Sequence, residues 1–164
     1  MKPDFDRAAV KATETLIEYG ITTAPVDPMR ILKTMPDVLM VSYTEIATAM
    51  DIDRSSAVTM FGHANQDAVT AYLKGRNQYF IAYNQRLPFY MLQRAFAREL
   101  GHIVLGHDGT RPEDVRNNEA LCFARHFLCP RGLLKAVEES GLPFTVELLG
   151  AMTGCYERAL IGIR

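Results

Sequence analysis

Cysteine is scarce in this chain. Its three cysteines, Cys122, Cys129 and Cys155, are too few and too scattered for a disulfide framework. An excess of one charge is also missing: 18 basic residues face 19 acidic ones, a net charge of −1. That balance gives no general attraction to nucleic acid or to an anionic membrane surface. No run approaches the roughly 18–20 apolar residues that a membrane span requires. The first ten residues, MKPDFDRAAV, are charged and carry no apolar signal core. Tryptophan is absent, which excludes nothing. These absences lead to an expectation of a soluble protein of a reducing compartment, most simply cytoplasmic, with no membrane partner and no direct nucleic-acid contact.

What is present suits a single domain. The chain has 164 residues, 48% of them hydrophobic, enough to bury a sizeable core. Residues 6–19 read as a helix, with Ala8, Ala9, Ala12, Leu16 and Tyr19 at helical spacing and Gly20 as its stop. Asp27 can cap a second helix that has Pro28 at its first position. Residues 38–43 read as a strand and 44–50 as a short helix. The segments AVTMF (57–61), AVTAYL (68–73) and QYFIAYN (78–84) are rich in β-branched and aromatic residues. With turn chemistry between them, they predict an antiparallel meander of three strands. Pro88 opens a long helix to about Leu105, a second runs from about Pro112 to Cys129, and a third precedes Gly141. Residues 145–164 read as helical. The expected fold is α+β: a small three-stranded antiparallel sheet packed on a helical bundle, as one domain over 1–164.

The chemistry is concentrated in RAFARELGHIVLGHDG, residues 94–109. Two histidines four apart on one helix can grip one metal, and a Glu following the first can take a proton from metal-bound water. Glu99 and His102 occupy the second and last of these positions, but the first is Arg98. A guanidinium has no lone pair to offer a metal. Glu119 follows on the next helix, where an antiparallel return brings it toward His102.

Four segments together resemble the ImmA/IrrE family of zinc metallopeptidases. APVDPMRIL is similar to that family's Pro-Val-Asp-Pro start of its second helix, and YFIAYNQRLPFYMLQRAFARELGHIVLGH to its strand followed by an H-E-L-G-H helix. EALCFARHFLCP is similar to the E-A-N-x-F-A-x-x-L-L-M-P helix, and GAMTGCYERAL faintly to the terminal helical pair. The resemblance implies a cytoplasmic zincin domain with zinc as cofactor, found on mobile elements or in stress circuits. Its members cleave a helix-turn-helix repressor. It places Glu99 at the general-base position and His102 and Glu119 at zinc positions.

Two residues depart from the pattern: Arg98 stands for the first zinc-binding His and Leu121 for an Asn. Only two of the matching ligand positions remain, whereas catalytic zinc normally has three protein ligands. Cys122, three residues beyond Glu119, is a candidate substitute ligand, though a free Cys is more often a small buried apolar residue. His107 lies about 140° around a continuing helix from His102 and points away unless Gly106 ends the helix first. His126 lies about 10 Å along the helix from Glu119, too far for a shared metal. His63 reads as a turn residue. Asp108 falls where another zincin class puts its third ligand, without the glycine that class needs.

Two functions follow. The first is a non-catalytic relative with no tightly bound zinc, in which Arg98 replaces the metal's charge beside Glu99, Glu119 or both, and the cleft binds a protein partner such as a repressor. The second is an active zinc endopeptidase whose shell is completed by a substitute ligand or water.

Overall fold

The computed structural model describes residues 1–61, 67–141, 145, 147, 148 and 150. His63, Cys155 and most of the helix expected over 145–164 lie outside the described residues.

Short polar side chains start most of the helices. The Asp4 carboxylate accepts the Arg7 N–H at 2.9 Å and opens α1 (Phe5–Glu18). Asp27 does the same for α2 (Pro28–Thr34), with Pro28 at the position where its missing N–H costs nothing. Strand β1 (Val38–Ser42) runs directly into α3 (Tyr43–Met50) through a capping box. There the Glu45 N–H donates to Ser42 Oγ at 3.2 Å, and the Ser42 N–H donates to Glu45 Oε2 at 2.7 Å. Next come α4 (Arg54–Phe61), β2 (Ala68–Leu73), a 3₁₀ turn (Lys74–Arg76) and β3 (Gln78–Tyr83). The chain then forms α5 (Phe89–Val104), α6 (Glu113–Leu128) and α7 (Arg131–Glu139).

The α+β expectation holds, with a three-stranded sheet packed against helices, but the strands differ from those expected. The sheet order is β1-β3-β2. Strands β2 and β3 pair antiparallel, Ala68 opposite Tyr83 through Leu73 opposite Gln78. The third member is β1, parallel to β3 with Val38 opposite Tyr79. Residues 57–61, expected as a strand, are helical. The Asp53 carboxylate caps their helix by accepting the Ser56 N–H at 3.0 Å, and the Asp53 carbonyl accepts the Ala57 N–H at 3.1 Å. This cap, together with burial of Ala57 and Val58 against α3, overrides the β propensity of the segment. A parallel β1–β3 pair needs a long crossover, and α3 and α4 lie within it.

The sheet is covered on both faces. Ile81 faces a core built with Phe96, Leu100, Phe123 and Phe127 from α5 and α6. Its neighbour Ala82 faces a second core with Tyr43, Ile46 and Val58 from α3 and α4. The alternation follows from the two-residue period of a strand. No described helix is long and apolar enough to cross a membrane.

Candidate functional site

Helices α5 and α6 meet where Gly101 removes a side chain. A Cβ built there would lie 3.0 Å from Phe123 Cδ1 and 3.1 Å from the Ala120 carbonyl oxygen. This close approach brings the inward faces of α5 (Glu99, His102) and α6 (Glu119) onto one buried polar layer. Glu99 and Glu119 are each 1% exposed and His102 is 8% exposed. Buried carboxylates need cations or donors, and each finds its own set.

Glu99 is held by Arg98, its neighbour in sequence. Arg98 places Nε 2.8 Å and Nη2 2.6 Å from Glu99 Oε1, and Nη2 also donates to the Ala68 carbonyl at 2.6 Å. The other carboxylate oxygen, Oε2, accepts the Thr70 hydroxyl at 2.7 Å. Arg98 therefore ties α5 to the free edge of β2, and Glu99 has no unengaged oxygen. Of the pairings expected for Arg98, with Glu99, Glu119 or both, the one with Glu99 forms and the one with Glu119 does not.

Glu119 is served instead by three other donors. Arg111 Nη1 lies 2.6 Å from Oε2, His107 Nε2 lies 3.0 Å from the same oxygen, and the Asp4 N–H donates to Oε1 at 2.7 Å. Burial pushes the Glu119 carboxyl up. The Asp4 N–H, His107 and Arg111 more than offset this and hold it below its ordinary value.

His107 enters the site through the exception the sequence left open, an end to the helix at Gly106. A helix continuing beyond Leu105 would carry it away, but Gly106 adopts φ +68° and ends α5. The His107 N–H returns to the His102 carbonyl and the Gly106 N–H to the Ile103 carbonyl, both at 2.9 Å, which is a Schellman closure. His107 then swings back, 5% exposed, with Nδ1 3.0 Å from His102 Nδ1. The signal was legible: a glycine one residue before a histidine at a helix end.

The contacts fix the tautomers. A Glu119 carboxylate only accepts, so His107 Nε2 carries a proton. Burial pushes the His107 pKa down, against the pull of Glu119, which favours the neutral ring at neutral pH. Its Nδ1 is therefore an acceptor and receives the Nδ1 proton of His102. Burial, His107, Arg98 and Arg116 push His102 down to about 3, so it too is neutral. What remains is a lone pair on His102 Nε2, with no partner among the described residues.

The zinc implied by the resemblance does not fit this arrangement. Arg98 offers no lone pair. His107 stands between His102 and Glu119 and meets them through opposite ring nitrogens, so the three sets of donors do not converge on one point. Among the described residues no group of three or more His, Cys, Asp or Glu side chains is disposed to hold a metal ion. Cys122, expected as a substitute ligand, does not reach the site. It lies on another side of α6, where its Sγ meets the Phe5 carbonyl at 3.5 Å and it lines a cavity with Leu121 and His126. Burial also pushes its thiol pKa up, away from the thiolate that zinc prefers. Asp108 is turned to its own loop, accepting from the Thr110 N–H and hydroxyl.

No family model matches the chain, and no curated protein matches it. Among solved structures it is similar to a Mycobacterium tuberculosis transcriptional regulator, with a TM-score of 0.61 and 16% sequence identity. The likeness covers 94% of this chain but 45% of that one, so this chain spans less than half of the regulator's length. At that identity the likeness concerns the fold alone. The chain thus shares, at a distance, the fold of part of a bacterial transcriptional regulator.

Proposed function

We propose that this chain is a degenerate ImmA/IrrE-type metallopeptidase-like domain. It keeps the zincin cleft, has lost its metal chemistry, and binds a protein partner, of which a mobile-element or stress-response repressor is the class the resemblance suggests. The observation that carries the reading is the Arg98–Glu99 ion pair, because it puts a fixed cation on the general-base position where a metal ligand should stand beside it. In this reading His102 and Glu119 are vestigial zinc positions and Arg98 supplies the charge the metal would have supplied. Glu99 already accepts from Arg98 on one oxygen and from Thr70 on the other, so most of its acceptor capacity is spent. The distant likeness to a transcriptional regulator supports a regulatory setting.

Metal analysis and calorimetric zinc titration of the purified chain test the reading. It expects far less than one zinc per chain, no saturable zinc binding, and a partner that co-purifies uncleaved. Stoichiometric zinc that disappears in His102→Ala, with zinc-dependent cleavage of a bound repressor, would overturn it in favour of an active endopeptidase.

A further inference from the structure

Beside the Arg98–Glu99 pair lies a cavity of about 200 Å³, bounded by β2, α5 and the first turns of α6. Thr70, Arg98, Glu99, His102, Arg116 and Asn117 line it, and Glu113 stands exposed beside them. Its lining carries unpartnered donors from two arginines, with the exposed Glu113 carboxylate on the other side of the balance. Both Glu99 oxygens are consumed by Arg98 and Thr70. Arg98 Nη1 has no partner among the described residues. Arg116 spends Nε on the Arg111 carbonyl at 2.9 Å and leaves both terminal nitrogens without one. Both arginines line the small cleft, and these guanidinium nitrogens have no partner among the described residues. His102 itself lines the cavity, is more than nine-tenths buried, and has no partner for Nε2 among the described residues.

We propose that this cleft binds a carboxylate of a protein partner, held by the free ends of Arg98 and Arg116, with a neighbouring N–H of the same partner donated to His102 Nε2. A site of cation-binding ancestry is thereby inverted into one that takes an anion. A guanidinium fork matches a carboxylate in geometry as well as charge. The lone pair selects against a bare anion, which has no proton to give, and for a peptide, in which an amide N–H lies within a few bonds of every carboxylate. That carboxylate is either the partner's C-terminus or an Asp or Glu side chain. The proposal rests on the partner-binding reading given above and assigns the chemistry that the partner must present.

The test uses the full chain, ¹⁵N-labelled, at neutral pH and low salt. The probes are N-acetylglycine for a chain end, N-acetylaspartic acid α-amide for a side chain, and N-acetylglycinamide as the neutral control. The Arg98 and Arg116 Nε–Hε signals and the His102 ring nitrogens report binding. At least one carboxylate probe should give saturable shifts at all three residues, and the tighter of the two identifies the source. The neutral control should bind about tenfold more weakly, as expected for loss of a charge-assisted hydrogen bond. Arg116→Gln, with an otherwise unchanged amide spectrum, should weaken the carboxylate probe by a similar factor. Arg116→Lys, which keeps charge but not the fork, should fall between; it stands in if Arg116→Gln does not fold. No saturation by either carboxylate, equal binding of the neutral control, or affinity indifferent to residue 116 would overturn the proposal. Zinc titration of the same sample separates the two failures. A chain that takes neither zinc nor carboxylate refutes only this assignment, whereas a chain that takes stoichiometric zinc refutes the partner-binding reading beneath it.

Discussion

Arg98 is the single residue on which the site turns. Its side chain is 28% exposed while that of Glu99 is 2% exposed, so the pair is anchored by the buried carboxylate rather than by the cation. Arg98→Ala would leave Glu99 with Thr70 alone, and stranding a buried charge costs about 3–5 kcal/mol in fully buried pairs. Partial exposure of Arg98 reduces this to the lower end, about 3 kcal/mol. For a chain of this size that corresponds to a fall in melting temperature of about 6–12 °C. Adding Glu99→Gln should recover part of the loss, and a melting temperature unmoved by Arg98→Ala would mean that the ion pair contributes nothing. His102 makes a second prediction at this scale. Its folded pKa, about 3, lies below its ordinary value of 6.5, so the unfolded chain takes up a proton that the folded chain refuses. The resulting stability is complete above pH 6.5 and is lost as the pH falls from there toward 3. His107 is shifted the same way. Between pH 6.5 and about 5 most carboxylates remain ionised, and His102 should contribute a slope of about 1 kcal/mol per pH unit, with His107 adding to it in the same direction. Urea denaturation at several pH values checks this. An identical slope in His102→Gln would remove His102 as its source.

The elements act through two backbone features. The first is the contact of α5 with α6 at Gly101. Gly101→Ala would press a methyl group against the Ala120 backbone, which cannot yield as a flexible side chain would. Overpacking of that kind costs about 1–3 kcal/mol, and parting the helices should also lengthen the His107–Glu119 contact. A reduced melting temperature accompanied by shifted His107 ring signals is expected, and an unperturbed variant would show that the helices tolerate separation. The second feature is the turn at Gly106, which shows what the sequence could and could not reveal. The long helices α5 and α6 were legible because Pro88, Pro112 and Pro130 punctuate a strong helical pattern. The caps at Asp27 and the neighbouring Pro28 were legible because their chemistry is local. Residues 57–61 depart from the strand their composition suggests because β-branched and aromatic side chains suit a strand as well as a buried helix, and the deciding cap at Asp53 lies outside that window. The parallel β1–β3 pairing is a tertiary choice that no local pattern encodes. In the site, Glu99, His102 and Glu119 could be placed on facing helices from spacing alone. Arg111 and the Asp4 N–H could not, because they reach Glu119 from a loop and from the chain's beginning.

At the scale of the whole molecule, the site is assembled from regions more than a hundred residues apart, and this decides what zinc binding here would require. Position 98 and His102 share a helix face, so Arg98→His would supply a second imidazole beside Glu99. Glu119 is nevertheless already engaged by the Asp4 N–H on one oxygen and by His107 and Arg111 on the other. A metal arriving at Glu119 would have to displace the Arg111 guanidinium, 2.6 Å away and itself a cation. Arg98→His alone should therefore gain only weak zinc binding. Arg98→His with Arg111→Gln removes both resident cations and should bind zinc at least about tenfold more tightly than the single variant. His107 can stay on Glu119 as the group that orients it. Zinc at about one hundred times its dissociation constant would then stabilise the double variant by about 2.7 kcal/mol, seen as a rise in melting temperature that the parent lacks. Calorimetry on parent, single and double variants decides the matter. If the single variant already binds as tightly as the double, Arg111 is no barrier and Arg98 alone keeps zinc out. If the double variant binds nothing, the Gly106 turn has set His107 permanently between His102 and Glu119, and the metal was excluded by the shape of the backbone as much as by one exchanged side chain.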